Sequence, residues 1–121
     1  MVKRILVCDD DEGISEMIKI MLENAKFEVK LLPNGKAIQR KVKQFSPNLI
    51  LIDLWMPGLG GKEAIKLLKK DSETAHIPII IISALHENEI NQIVKDVGAE
   101  DFLPKPFNMN DLLAVVEEYA V

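Results

Sequence analysis

Short apolar runs and longer apolar stripes take turns along the chain, five times over. Residues 5–8 (ILVC), 49–52 (LILI) and 79–82 (IIII) are unbroken and rich in β-branched residues and Leu. Such runs suit parallel strands buried on both faces. Residues 27–31 (FEVKL) alternate instead, which predicts a strand with one more exposed side, as at a sheet edge. Residues 102–104 (FLP) end in a proline that cannot donate to a ladder, so this strand also belongs at an edge.

Helical patterns fill the gaps. Ile14, Met17, Ile18, Met21, Leu22 and Ala25 recur at the spacing of one helix face, with Ile18 and Met21 expected in the core. Ile90, Ile93, Val94 and Val97 repeat the pattern up to Gly98, a C-terminal cap. Leu112, Leu113 and Val116 form a third stripe that Asn108 or Asn110 would start. Residues 35–45 and 62–70 are weaker helices. The order βαβαβαβαβα implies a doubly wound α/β fold, a five-stranded parallel sheet covered on both faces by right-handed crossovers. With the second and fifth strands at the edges, the strand order is 2-1-3-4-5. Sites in such sheets form beyond the carboxyl ends of the strands, at the switch between the first and third. That rule singles out Asp9-Asp10-Asp11-Glu12 and Asp53.

Composition narrows the classes. A chain of 121 residues has the size of one domain, and a single domain over residues 1–121 is expected. With 48% hydrophobic and 28% charged residues, the balance is globular rather than disordered. A net charge of −4 gives no reason to expect nucleic acid or an anionic membrane as a direct partner. The lone Cys8 excludes an internal disulfide and fits a reducing cytoplasm. No apolar run approaches the roughly 20 residues of a membrane span, and the N-terminal MVKRILVC turns acidic too soon for a secretory signal. A soluble cytoplasmic domain is therefore expected. Met1 directly before the first strand favours a native N-terminus, and a chain ending just past the last helix leaves no output domain in view.

The acidic run after the first strand has two readings. Carboxylates favour the positive end of a helix, and Asp is a good N-cap. The fold, however, brings Asp9, Asp10 and Asp53 into one cleft, where mutual repulsion asks for a hard divalent cation such as Mg²⁺. His76 and His86 stand alone and read as surface residues. The fourth strand ends at Ser83-Ala84 and the fifth runs into Lys105-Pro106-Phe107, adding a hydroxyl and an ammonium to the same rim. Acids, cation site, hydroxyl and ammonium together could cradle a phosphoryl group.

The chain resembles, over essentially its whole length, the receiver domain of two-component response regulators, the CheY-like domains. The residues that carry the resemblance are the acidic pair in ILVCDDDE, Asp53 in LILIDLWMPGLGG, Ser83-Ala84 in IIIISAL and Lys105 in DFLPKPF. The resemblance implies Asp53 as phosphoacceptor and Mg²⁺ (or Mn²⁺) held by Asp10, Asp53 and the Trp55 backbone carbonyl, with Asp9 acting through water. Ser83 and Lys105 would each meet a phosphoryl oxygen, and the Lys105–Pro106 bond would be cis. Met56-Pro57 and Gly60-Gly61 match the turn after the phosphoacceptor strand. Asp11 and Glu12 match no catalytic position and keep the helix-start reading.

The same resemblance implies a function that is not turnover catalysis. The domain would take a phosphoryl group from the phosphohistidine of a histidine kinase or histidine phosphotransfer protein, then hydrolyse it slowly. Gly13, Ile14 and Met17 beside Pro106 and Phe107 would dock the donor. Ser83 and Phe102 would switch the face formed by helix four, strand five and helix five, which meets a downstream protein. Trp55 and Leu85, each two residues beyond a site residue, are apolar and would not orient a hydrolytic water. Three rivals compete: a phosphorylation-independent interaction module on the same fold, a flavodoxin-like FMN protein that fits the topology, and a haloacid-dehalogenase-type phosphatase. The intact acid, hydroxyl and lysine set argues against the first, and four acids where a phosphate loop belongs argue against the second. Trp55 stands where the third needs an acid.

Overall fold

In a computed structural model, described for residues 2–55 and 60–121, the three unbroken apolar runs lie at the centre of the sheet. The elements are β1 (Arg4–Cys8), α1 (Glu12–Asn24), β2 (Glu28–Leu32), α2 (Ile38–Phe45), β3 (Leu49–Asp53), α3 (Gly61–Lys70), β4 (Ile79–Ser83), α4 (Glu87–Val97), β5 (Asp101–Pro104) and α5 (Met109–Tyr119). The strands are parallel in the order β2-β1-β3-β4-β5, with the alternating run and the proline-ended run at the edges. The expectation for Met56-Pro57 lies outside the described residues.

Alternate side chains of the central strands serve two cores. Leu6, Ile50, Ile52, Ile79 and Ile81 pack with Ile38, Val42, Ile65, Leu68 and Ile90 of α2, α3 and α4. Ile5, Val7, Leu49, Leu51, Ile80 and Ile82 pack with Ile18, Leu22, Leu112 and Val116 of α1 and α5. Both faces of each central strand are thus removed from water, which is why polar residues stand only at the strand ends, Arg4, Asp53 and Ser83.

The helix ends follow their side chains. Asp11 caps α1, its Oδ1 accepting the Ile14 N–H at 3.1 Å. Gly98 ends α4 in the left-handed conformation, φ 80°. Asn108, not Asn110, starts α5 through a reciprocal pair of bonds with Asp111.

Two expectations are corrected. The second helix begins at Ile38 rather than residue 35. The Asn34 side chain accepts the Lys36 N–H at 2.9 Å, and Ala37 adopts a left-handed φ of 59°, so turn geometry holds this stretch until Ile38. In α1 the buried line is Ser15, Ile18 and Leu22; Met21 is half-buried, Met17 is 36% exposed and Ala25 lies outside the helix. The apolar stripe is wider than the strip of sheet it covers.

On the last strand, Asp101 accepts the Tyr119 hydroxyl at 2.9 Å and the Phe102 N–H at 2.8 Å, tying α5 to β5. That hydrogen bond, then burial and the nearby carboxylates, push the Tyr119 phenol up to about 12. Tyr119 is the only tyrosine in the chain, so phenolate absorbance reports it alone. The folded protein is expected to show little phenolate near the ordinary value of about 10, and Asp101→Asn to bring the midpoint down. A wild-type midpoint near the ordinary value would remove the contact's importance.

Candidate functional site

Strand register places the chemistry. Cys8 pairs with Ile52, Asp53 with Ile82, and Ser83 with Pro104. Asp9 and Asp10 after β1, Asp53 at the end of β3, Ser83 at the end of β4 and Lys105 after β5 therefore share one rim. The backbone closes it: the Asp9 N–H donates to the Leu32 carbonyl at 3.1 Å and the Lys105 N–H to the Ser83 carbonyl at 2.8 Å.

Asp9 is the most enclosed acid. Its Oδ1 accepts the Asp11 N–H at 2.9 Å and its Oδ2 the Lys105 ammonium at 3.2 Å. Asp53 is 5% exposed; its Oδ1 accepts the Trp55 N–H at 3.4 Å, and its Oδ2 lies 3.6 Å from Lys105 Nζ. Asp10 is exposed, yet one oxygen from each of the three carboxylates falls within 4.8 Å of the others. Burial, then the Asp9 carboxylate, push the Asp53 carboxyl above its ordinary value, and Asp10 adds to this. Lys105 and the Trp55 N–H pull it back. Three acids facing one ammonium leave an uncompensated negative charge among oxygen ligands, a donor set that suits a hard divalent ion.

Glycine makes the connection after Asp53 possible. A Cβ on Gly61 would sit 2.5 Å from the Asp53 carbonyl oxygen and 2.6 Å from Leu54 Cα. The Gly61 N–H also donates to the Leu54 carbonyl at 3.2 Å, so the start of α3 is held against the end of β3.

Residues 5–117 match the family model of the response regulator receiver domain. The chain belongs to this family. It is similar to the DNA-binding dual master transcriptional regulator RpaA of Synechocystis, 37% identical over 93% of this chain and 47% of the relative. It is also similar to the phosphate regulon transcriptional regulatory protein PhoB of Pseudomonas aeruginosa, 38% identical over 93% of this chain and 49% of that protein. This receiver thus spans about half the length of those curated relatives. Among solved structures, the Vibrio cholerae chemotaxis protein CheY4 superposes with a TM-score of 0.92 at 28% identity, covering 98% of this chain and 99% of that one.

The other expected residues of the receiver fall as follows. Ser83 is buried, and its Oγ accepts the Leu85 N–H at 3.0 Å. The Lys105–Pro106 bond is cis. Phe102 is half-buried and packs against the core beneath α2, α3 and α4. Gly13, Met17 and Pro106 are exposed, while Ile14 and Phe107 are half-buried against the core beneath α1 and α5. Trp55 is 67% exposed and shares a groove of about 430 Å³ with Leu54, Lys62, Glu63, Leu85 and Glu89. His76 and His86 are exposed. Among the described residues no helix is long and apolar enough to cross a membrane.

Three supporting residues escaped the sequence reading. Buried Ser15 donates from Oγ to the Asp9 carbonyl at 3.3 Å, steadying the turn that carries the acids. Cys8 Sγ lies 3.2 Å from the Asn34 carbonyl, and burial, then Asp9 and Asp53, push its thiol up to about 12, so it stays protonated. Gly61 was matched to a turn, but its close approach to Asp53 depends on the backbone path. Only Ser15 left a sequence signal, a small polar residue inside an apolar helix stripe.

Proposed function

We propose that this receiver accepts a phosphoryl group on Asp53 from the phosphohistidine of a histidine kinase or histidine phosphotransfer protein and signals through the state that results. One observation carries the reading. A buried carboxylate at a strand end lies 3.6 Å from an ammonium and within 4.8 Å of two further acids. A structural role alone gives no reason to gather these charges.

The oxygens of Asp9, Asp10 and Asp53 fit Mg²⁺ or Mn²⁺, with the Trp55 carbonyl as a further ligand and Asp9 acting through water. When bound, the ion supplies positive charge against the phosphoryl oxygens. An Asp53 oxygen forms the new bond to phosphorus as the bond to the imidazole nitrogen breaks, and the imidazole keeps that electron pair. Lys105 exchanges its contact with Asp53 for a phosphoryl oxygen. Ser83 accepts from Leu85 and so keeps its own proton to donate to another. Reversal is hydrolysis of the acyl phosphate, and the domain is not a turnover enzyme.

Gly13, Ile14, Met17, Pro106 and Phe107 offer the donor an apolar patch beside the acids. The α4–β5–α5 face is the output surface, with Ser83 and inward movement of Phe102 coupling it to the site. Any signal requires a partner with different affinity for the two states. DNA binding is named for relatives about twice as long as this chain and is not proposed for the receiver.

Incubation with Mg²⁺ and a small acyl phosphate, read by intact mass, is expected to add one phosphoryl group to the wild type and none to Asp53→Asn. No gain, or a gain that survives Asp53→Asn, defeats the reading. Trp55 and Leu85 offer no polar group to aim the attacking water, so the phosphoryl group should be long-lived. Trp55→Asn is expected to shorten its lifetime several-fold, and an unchanged lifetime would refute this role.

A further inference from the structure

The three acids of the site are held in different ways. Asp9 and Asp53 are fixed through their own side chains, Asp9 by the Asp11 N–H and Lys105, Asp53 by the Trp55 N–H beside Lys105. The Asp10 carboxylate is exposed and makes no hydrogen bond or ion pair among the described residues. Yet one of its oxygens stays within 4.8 Å of oxygens on two like-charged neighbours, an arrangement that repulsion works to open. With nothing bonded to the side chain, its direction is set by the backbone that carries it.

That backbone is tied down from α1. The Ser15 N–H donates to the Asp11 carbonyl at 3.0 Å, and the Ser15 hydroxyl donates to the Asp9 carbonyl at 3.3 Å. One residue thus holds the carbonyls on either side of Asp10. A helical serine ordinarily turns its hydroxyl to solvent or to the carbonyl four residues back. Here the hydroxyl reaches six residues back, past the helix start at Glu12. Ser15 is 5% exposed and shares its buried line with Ile18 and Leu22. Alanine would fill that position with better helix propensity and no hydroxyl to bury, so packing alone gives no reason for serine. Ser15 also stands, with Asp9 and Asp10, in the wall of a hollow of about 370 Å³ beside Leu31, Leu32 and Pro33.

We infer that Ser15 is a positioning residue for the metal: it holds the Asp9–Asp11 turn so that Asp10 already faces the other two carboxylates in the metal-free protein. The inference rests on the metal site of the proposed function and names the residue that prepares it. Without the hydroxyl the turn gains freedom, repulsion moves the Asp10 carboxylate away from Asp9 and Asp53, and metal binding has to order it again. The loss falls on metal affinity and not on the transfer step, because Ser15 bonds neither Asp53 nor Lys105.

Mn²⁺ binding to the whole chain tests this, with the free ion read by its electron paramagnetic resonance signal and Mg²⁺ by competition. Ser15→Ala is expected to weaken both ions about three- to tenfold, the net size of one hydrogen bond. Ser15→Thr keeps the hydroxyl, has the hollow beside it for the added methyl, and is expected to bind as the wild type does. Thr74→Val is the control. It deletes another buried hydroxyl bond, to the Leu68 carbonyl at 2.6 Å, just before β4 and so at the opposite end of the sheet from the acids. It should lose stability in urea and keep its metal affinity. Phosphoryl uptake from a small acyl phosphate separates the roles further. Ser15→Ala should lag the wild type at limiting Mg²⁺ and match it at saturating Mg²⁺, whereas a purely structural loss lowers uptake at both. Circular dichroism checks that each variant is folded. Unchanged affinity in Ser15→Ala, or a Ser15→Thr that binds no better, overturns the inference and leaves the metal site standing. Equal weakening in Thr74→Val, or an uptake defect that saturating Mg²⁺ does not remove, assigns Ser15 to stability and also overturns it. A wild type that binds neither ion overturns the metal site, and this inference with it.

Discussion

Gly61→Ala is expected to cost about 2–4 kcal/mol of stability and to lower phosphoryl uptake by the protein that remains folded. The added methyl meets the backbone of the Asp53–Leu54 peptide, 2.5 Å from the Asp53 carbonyl oxygen and 2.6 Å from Leu54 Cα. Backbone within a buried strand end cannot turn aside as a side chain does, so β3 and α3 must separate. The displaced atoms belong to Asp53, the proposed phosphoacceptor, and to its neighbour, which would couple the stability loss to the proposed chemistry. Gly13→Ala is the internal control. Its methyl meets only the Asp11 side chain at 3.3 Å, in a helix where alanine is favoured over glycine by about 1 kcal/mol. Gly60→Ala meets the far end of Glu63 at 2.7 Å, which can rotate away. Urea unfolding of the three variants is expected to single out Gly61, and an equal cost at Gly13 would refute the close-approach account.

The sheet was legible because its chemistry is local and repeated. An unbroken run such as 79–82 has one good solution, burial on both faces, and the alternating 27–31 and proline-ended 102–104 have one good place, the edges. Strand order then followed, and with it the rim that joins Asp9, Asp10, Asp53, Ser83 and Lys105. What did not show was whatever depends on the backbone path. The start of α2 moved because the Asn34 side chain and the left-handed Ala37 hold a turn that apolar spacing does not encode. Met17 fits the helix stripe as well as Ile18 does, and only the width of the sheet decides that Ile18 is covered.

Without divalent metal, Asp53→Asn is expected to be more stable than the wild type by on the order of 1–3 kcal/mol. Like charges within 4.8 Å repel by about 3 kcal/mol per pair at an effective dielectric constant near 20. Asp53 faces two such neighbours, and Lys105 at 3.6 Å offsets only part of this. The amide keeps an oxygen for the Trp55 N–H and removes the charge. The pH dependence has a definite sign. A carboxyl whose pKa is raised by folding contributes fully below its unfolded value of about 3.9, and that contribution is lost as pH rises through the folded value. Metal-free wild type should therefore gain on Asp53→Asn as pH falls from neutral toward mild acid. Asp71, held below its ordinary value by Lys43, slopes the other way but equally in both proteins, so the difference isolates Asp53. Added Mg²⁺ should reverse the order. Binding to the folded state alone stabilises the wild type by mass action, whereas the variant has lost one of three carboxylates. Thermal melts with chelator and with Mg²⁺ across this pH range decide it. A wild type at least as stable as Asp53→Asn in chelator would mean that these carboxylates do not repel strongly enough to require a cation.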